Sequence, residues 1–413
     1  MMTIVRSAVT PQHCPLNPHS NEVNASEVPK YVEKLKEFLG HEALAKAQAY
    51  LDKDLQSHGG CYRIWAEHLK PWLFAFRTYD RITNQGTHMP SAWPTAIQKL
   101  VGDAFMIASL HHSMPEEVRA KYSKDLLLNQ HNDFMVEIFA AWLYHLKGYD
   151  VQWYPLGQIK SPEFRVQGGG LDFDIECKRF SMDISEDVKT PALAETCDTI
   201  YQVLERRNLW GEVKVEFTDD FVFDPGRKPQ WTQALAREFN SRPTTLQLDP
   251  TVLLTLELKP SPSPTYTPKE LNDIARGKHS TERSYLQSKK NGALMFDPIV
   301  FRCCGPRKTP EELRENIYRT LKKKVTTQLA PDRPGVVIVQ FIGLRDPRVF
   351  NDSDGIKEAL AKLFKQRHLA AVMLQCDEIP EAETGSIRYS TPSILVQNTE
   401  TTFPQVAAAR HLS

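Results

Sequence analysis

One stretch of this chain gathers residue types that could hold a divalent cation and activate water. Between Asn129 and Phe180 it carries Glu137 inside an apolar run, Glu163 directly after Pro162, and the triplet Glu176-Cys177-Lys178. Glu137 is flanked by Phe134, Met135, Val136, Ile138, Phe139 and Trp142. A helix apolar on all sides is expected to be buried. A buried carboxylate without a partner is costly, so Glu137 needs a cation, a hydrogen-bond network or a metal. A structural ion pair would answer that need as well as a catalytic site would.

The triplet closes a run with period two. Leu171, Phe173, Ile175 and Cys177 fall on one face, and Asp172, Asp174, Glu176 and Lys178 on the other, because side chains alternate across a strand. Three carboxylates on one face repel unless a cation sits among them, and a hard ion such as Mg²⁺ prefers carboxylate oxygens. The competing reading is the solvated outer face of an edge strand. Acid-x-Lys spacing alone is not specific, since Asp187-Val188-Lys189, Glu212-Val213-Lys214 and Glu257-Leu258-Lys259 share it. Only Glu176-Cys177-Lys178 has a Pro-Glu pair on the preceding strand and a third carboxylate on an upstream helix.

The elements that must position these residues can be read from periodicity and breakers. A helix is expected over 129–147, stopped by Gly148, then a strand over 149–154 broken by Pro155 and Gly157. Strands over 163–167 and 171–179 flank a hairpin turn at Gly168-Gly169-Gly170. A helix over 190–208 and a strand over 212–217 complete an α-β-β-β-α-β order across 126–218. Before it, residues 1–25 read as a flexible arm and 26–125 as a helical N-terminal domain, with helices over 28–57, 65–79 and 93–110 and another from Pro115. After it, 219–413 reads as a C-terminal α/β region, with a stiff Pro-rich stretch at 260–268, helices over 231–239, 310–329 and 355–366, and strands over 251–258, 336–341, 370–375 and 393–397. The expected fold class is mixed α/β.

The motif and the element order across 126–218 resemble the PD-(D/E)xK nuclease superfamily, the restriction-endonuclease-like fold. The resemblance implies that Glu163 and Glu176 bind Mg²⁺ or Mn²⁺, that Lys178 is the motif lysine, and that Glu137 matches the acidic residue many members carry on the first core helix. The chain departs at Glu163, where the family usually has Asp; the extra methylene moves the carboxylate, and Asp174 or Asp172 could compensate. The implied activity is metal-dependent phosphodiester hydrolysis, with DNA as the expected polymer and endonuclease action as the expected mode. A role in defence against foreign DNA or in repair suits the resemblance, and no residue decides between them. Cutters of this kind often pair two sites, which makes a homodimer one expected state. Two other readings stand beside it: a catalytically degenerate nuclease fold that binds nucleic acid or protein, and a hydrolase or interaction protein unrelated to nucleic acid.

Bulk properties narrow the classes. The 413 residues carry 51 basic and 51 acidic side chains, so any polyanion surface must be local. One candidate is the segment 276–324, with thirteen basic against five acidic residues; Lys289, Lys290, Lys322, Lys323 and Lys324 are its expected backbone contacts, and Tyr285 and Tyr318 its candidates for base stacking. Seven cysteines at irregular spacing form no disulfide framework; His58 and Cys61 lack a second half for a zinc site. No apolar run is long enough to span a membrane, and the N-terminus lacks the apolar core of a signal peptide. A cytoplasmic protein is the expectation.

Overall fold

The helix expected over 28–57 is broken at Gly40, whose φ of 80° ends one helix before His41 starts the next. The computed structural model describes residues 4–7, 21–57, 60–86, 89–127, 131–155, 161–181, 186, 188–238, 244–275, 283–291, 294–344, 346 and 348–407. Most of the arm expected over 1–25 therefore lies outside the described residues.

In chain order the elements are β1 (Ile4–Ser7), β2 (Glu22–Asn24), α1 (Val28–Leu39), α2 (His41–Ser57), α3 (Gly60–Leu69), α4 (Pro71–Asn84), α5 (Thr95–Leu110), α6 (Glu116–Leu126) and α7 (His131–Leu146). Next come β3 (Asp150–Trp153), β4 (Phe164–Gly168), β5 (Leu171–Phe180), α8 (Thr190–Arg206), β6 (Leu209–Phe217), α9 (Lys228–Glu238), β7 (Thr245–Asp249), β8 (Val252–Pro260), α10 (Pro268–Ala275), β9 (Arg283–Asn291) and β10 (Leu294–Cys304). The chain closes with α11 (Pro310–Gln328), β11 (Gly335–Phe341), α12 (Arg348–Asp352), α13 (Asp354–Leu363), β12 (Leu369–Gln375), β13 (Ile379–Ala382), β14 (Ser386–Ser390), β15 (Ser393–Gln397) and α14 (Pro404–Ala407). The class is mixed α/β, as expected. The strands β1, β2, β7, β9, β10, β13 and β14 were not, and the first two fall within the arm expected over 1–25.

The chain divides into two compact units, one drawn from Met1–Ala49, Leu69–Met182 and Thr309–Ser413, the other from Tyr50–His68 and Asp183–Lys308. The segment 126–218 is thus shared between them: α8 and β6 belong to the second unit, not to the sheet that carries the acidic residues. The segment 26–125 is shared as well, because α3 falls in the second unit and α5 packs on α7 in the first.

In the first unit a seven-stranded sheet runs β1-β15-β12-β11-β5-β4-β3. β3, β4 and β5 form an antiparallel meander with Phe164 opposite Ile175. Its hairpin turns on Gly168, Gly169 and Gly170, all at positive φ (147°, 58° and 79°), which glycine adopts without penalty. β11 lies parallel to β5, with Gly335 opposite Asp174 and Phe341 opposite Phe180. β5 is therefore an interior strand, which removes the reading of a solvated edge. Phe164, Phe173, Ile175 and Val336–Val339 are fully buried along it. Tyr144 of α7 meets Phe173 edge-on, with ring centroids 5.6 Å apart, while Lys324 of α11 reaches Glu176. Residues 173 and 176 point to opposite faces, so the two helices cover opposite sides of β5. α11 starts with a capping box: Thr309 accepts from the Glu312 backbone, Glu312 accepts from the Thr309 backbone, and Pro310 follows the cap.

The first unit also holds a three-stranded sheet, β13-β14-β2. Tyr389 of β14 donates to the Gln98 carbonyl of α5 at 2.8 Å, and a Cβ at Gly102 would collide with the Tyr389 ring. Beside it, buried Asp103 accepts from the Trp72 indole at 2.6 Å. Burial pushes the Asp103 carboxyl up to about 6 against the pull of Lys99, and burial and the Asp103 charge push Glu378 up to about 8. An acid with a raised folded pKa binds its proton more tightly when folded, so its contribution is full near pH 4 and is lost as pH rises. Asp103→Asn is expected to flatten the stability profile between about pH 4 and 6 and to be more stable than wild type at pH 8 by about 1–3 kcal/mol. Urea midpoints at pH 5 and pH 8 measure this; an unchanged slope counts against it.

The second unit is a five-stranded sheet, β7-β8-β6-β10-β9, with α8 and α9 over a core that includes Trp231, Phe301, Leu254 and Ile200. Of its described cysteines, Cys61, Cys197 and Cys303 are buried and Cys304 is partly exposed. His58 lies outside the described residues.

Candidate functional site

Glu163 precedes β4 but is already held in the meander. Its N–H donates to the Ile175 carbonyl at 3.0 Å, and its carbonyl accepts from the Tyr154 N–H at 3.4 Å. The register that sets Phe164 against Ile175 carries Glu163 on to face Glu176. Like charges directly opposite on neighbouring strands destabilise a sheet, so this pair needs a cation. Lys324 of α11 supplies one: its Nζ contacts Glu176 Oε1 and lies 3.8 Å from Glu163 Oε1. Glu176 is fully buried, and its Oε2 has no hydrogen-bond donor among the described residues.

Glu137 approaches from α7. The Tyr122 hydroxyl donates to its Oε2, and Tyr122 is itself held edge-on by Phe134 and Trp153, at centroid distances of 5.0 and 5.6 Å. α7 is less enclosed than its composition suggests, since Met135, Glu137 and Phe139 keep partial access to solvent. The charges of the three glutamates act on one another. Burial and then Glu163 push the Glu176 carboxyl up to about 8, with Lys324 and Lys178 pulling back. Burial and then Glu163 hold Glu137 well above the carboxylate range, with Tyr122 opposing. Burial also raises Glu163, against Lys324 and Lys121. Burial works against the Lys324 ammonium, but Glu176, Glu163 and Glu137 outweigh it and raise its pKa.

Lys178 makes no ion pair or hydrogen bond among the described residues. Burial lowers its pKa, while Asp133 and Glu176 act to raise it. Asp172 and Asp174, expected as substitutes for a displaced Glu163, are engaged elsewhere. Arg165 and Arg333 hold Asp172, while Arg333 at 3.1 Å and the Tyr154 hydroxyl at 2.7 Å hold Asp174. The opposing arginines answer the repulsion expected of this face without a metal.

Among the described residues no three His, Cys, Asp or Glu side chains stand as a ready metal-binding set. Glu163 and Glu176 nonetheless fit a hard divalent cation by donor chemistry. Their carboxylates share one cation already, and Glu176 Oε2 is a buried acceptor with no donor. Lys324 occupies the space between them.

The basic segment 276–324 does not form one free surface. Its first part lies in the second unit and its last part in the first. Lys289 pairs with Asp297 at 3.5 Å, Arg302 with Glu212 at 2.7 Å, Arg307 with Glu186 at 3.0 Å and Arg314 with Glu358 at 2.7 Å. Tyr285 is buried and is not available to stack on a base. Arg276, Lys278 and the Lys290 side chain lie outside the described residues. Lys322 and Lys323 are exposed on α11 and make no ion pair among the described residues. Tyr318 stands between the Lys322 and Lys362 ammonium groups, at 5.6 and 5.7 Å.

Two residues of the cluster lay outside the sequence motif, Tyr122 and Lys324. Lys324 carried a readable signal. The buried stripe of α11 is Ile317, Leu321 and Val325, and Lys324 follows Ile317 by seven residues, which returns it to the same face. Compared with known protein families the chain matches none, and no curated protein matches it.

Proposed function

We propose that the Glu137–Glu163–Glu176–Lys178 site binds Mg²⁺ or Mn²⁺ and hydrolyses phosphodiester bonds in nucleic acid, with DNA as the expected polymer. The observation that carries this reading is the opposed pair Glu163 and Glu176, with one buried oxygen, beside Lys178; among the described residues neither that oxygen nor Lys178 has a hydrogen-bond partner. The architecture supports it. The order α7-β3-β4-β5-α11-β11, with β11 parallel to β5, follows the α-β-β-β-α-β order that the resemblance implies, with α11 and β11 in the places expected for 190–208 and 212–217 and α8 through β10 intervening in sequence.

A bound divalent ion supplies a water of lowered pKa and polarises the phosphate. Glu163, just before β4, and Glu176, on β5, would hold it. Glu137, oriented by Tyr122, accepts from water on the α7 side. Lys178 donates to the developing anion. The exposed Lys322 and Lys323 offer charge to the phosphate backbone.

The test is incubation with plasmid, linear DNA and RNA in the presence of Mg²⁺, Mn²⁺ or chelator. Cleavage that needs the metal and stops with chelator is expected; intact substrates in every metal condition count against the reading. A second reading, a metal-free binding module on the same fold, draws on Lys324 as a resident cation. It requires nucleic-acid binding with no Glu176-dependent uptake of Mn²⁺.

A further inference from the structure

Lys324 is unlike its neighbours. Lys322 and Lys323 project from α11 into solvent, whereas the Lys324 side chain is 27% exposed and ends between two carboxylates. Ordering a long lysine and stripping part of its hydration is unfavourable unless opposite charge is supplied. Here the charge comes from Glu176 Oε1 and Glu163 Oε1, which face each other across β4 and β5. Any cation that bridges those two carboxylates must take the space the ammonium occupies. Two cations cannot share it, because their repulsion at contact distance is strong in a buried setting. The other oxygen, Glu176 Oε2, has no donor among the described residues. The lysine therefore neutralises the pair incompletely and leaves acceptor capacity that a divalent ion would use.

We propose that Lys324 is a displaceable internal counter-ion: in the metal-free protein its ammonium neutralises Glu163 and Glu176, and a divalent cation binds only by displacing it, so that Lys324 sets the metal affinity of the site. The inference rests on the metal-site reading above and adds a competitor built into the chain. It gives Lys324 a role different from that of Lys178, which among the described residues has no carboxylate partner to leave. Displacement is open to Lys324 because its long stem can swing the ammonium from the partly exposed site towards solvent on α11.

Calorimetric titration of the full chain with Mn²⁺ tests this without reference to activity. Lys324→Met, which keeps a linear stem and removes the charge, is expected to bind Mn²⁺ at least about tenfold more tightly than wild type. Glu176→Gln is expected to abolish binding in both backgrounds. If wild type binds Mn²⁺ through Glu176 and Lys324→Met binds no more tightly, displacement is overturned and the metal site stands. If neither protein shows Glu176-dependent binding, the metal site is overturned and this inference with it. Should Lys324→Met fail to fold, acetylation of wild type by a water-soluble N-hydroxysuccinimide ester, read by peptide mass spectrometry, decides the matter. Mn²⁺ is expected to raise labelling of Lys324 several-fold and to leave Lys289 unchanged; labelling of Lys324 that stays level or falls overturns the proposal.

Discussion

Glu176→Gln is expected to abolish Mg²⁺-dependent cleavage, lowering the rate by at least about a thousandfold, or roughly 4 kcal/mol of transition-state stabilisation. Glu176 is the carboxylate on which the cluster converges. It is fully buried, faces Glu163 across the meander, receives Lys324 and has Lys178 two residues along its own strand. Glutamine preserves shape but removes the charge that, on the proposed reading, would draw a divalent ion between the strands. It also relieves the opposition of two carboxylates on adjacent strands, so the fold is expected to survive. Cleavage of plasmid with Mg²⁺, alongside circular dichroism and thermal unfolding, separates the two effects. A variant that is folded and still cuts at the wild-type rate would place the chemistry elsewhere.

Lys178→Met comes second, with an expected loss of about 10²–10³ in kcat and unchanged Mn²⁺ binding. Among the described residues Lys178 has no hydrogen bond or ion pair, and burial lowers the pKa of its ammonium. Its charge acts on Asp133 and Glu176 only at a distance, so methionine there should leave stability within about 1 kcal/mol of wild type. In the proposed mechanism its donor is used only when charge develops on the phosphate, which would place the loss in kcat and not in KM. Single-turnover rates at saturating Mg²⁺ measure it. A variant that loses Mn²⁺ affinity instead would make Lys178 part of the cation site. Taken with Lys324→Met, the two lysines are expected to split cleanly, one acting on turnover and the other on metal affinity.

Part of this was legible in the residues themselves. The apolar run around Glu137, the hairpin on three glycines and the period-two strand ending at Lys178 each follow from spacing a few residues wide, and α7, β4 and β5 lie close to the expected positions. Local signals could not say which later helix and strand complete that sheet. The helix at 190–208 and the strand at 212–217 were well formed in sequence, but either of two sheets could have received them. They pack into the second unit with Trp231 and Phe301. β11 takes the place beside β5 because an unbroken apolar strand, Val336–Val339, is buried on both faces there, as parallel strands under helices must be.

The same limit applied to charge. The lysine run at 322–324 counted as one basic stretch, yet the helix turns about 100° per residue, which sends Lys322 and Lys323 to solvent and Lys324 to Glu176. Asp172 and Asp174 counted as spare ligands until Arg333, more than 150 positions downstream, was found to hold both. The sequence by itself determined the residue types, the alternation that puts Glu176 and Lys178 on one face, and the hairpin that brings Glu163 opposite. Only the tertiary structure decided which cations meet those carboxylates, because such partners come from remote elements and nothing in local periodicity records long-range pairing.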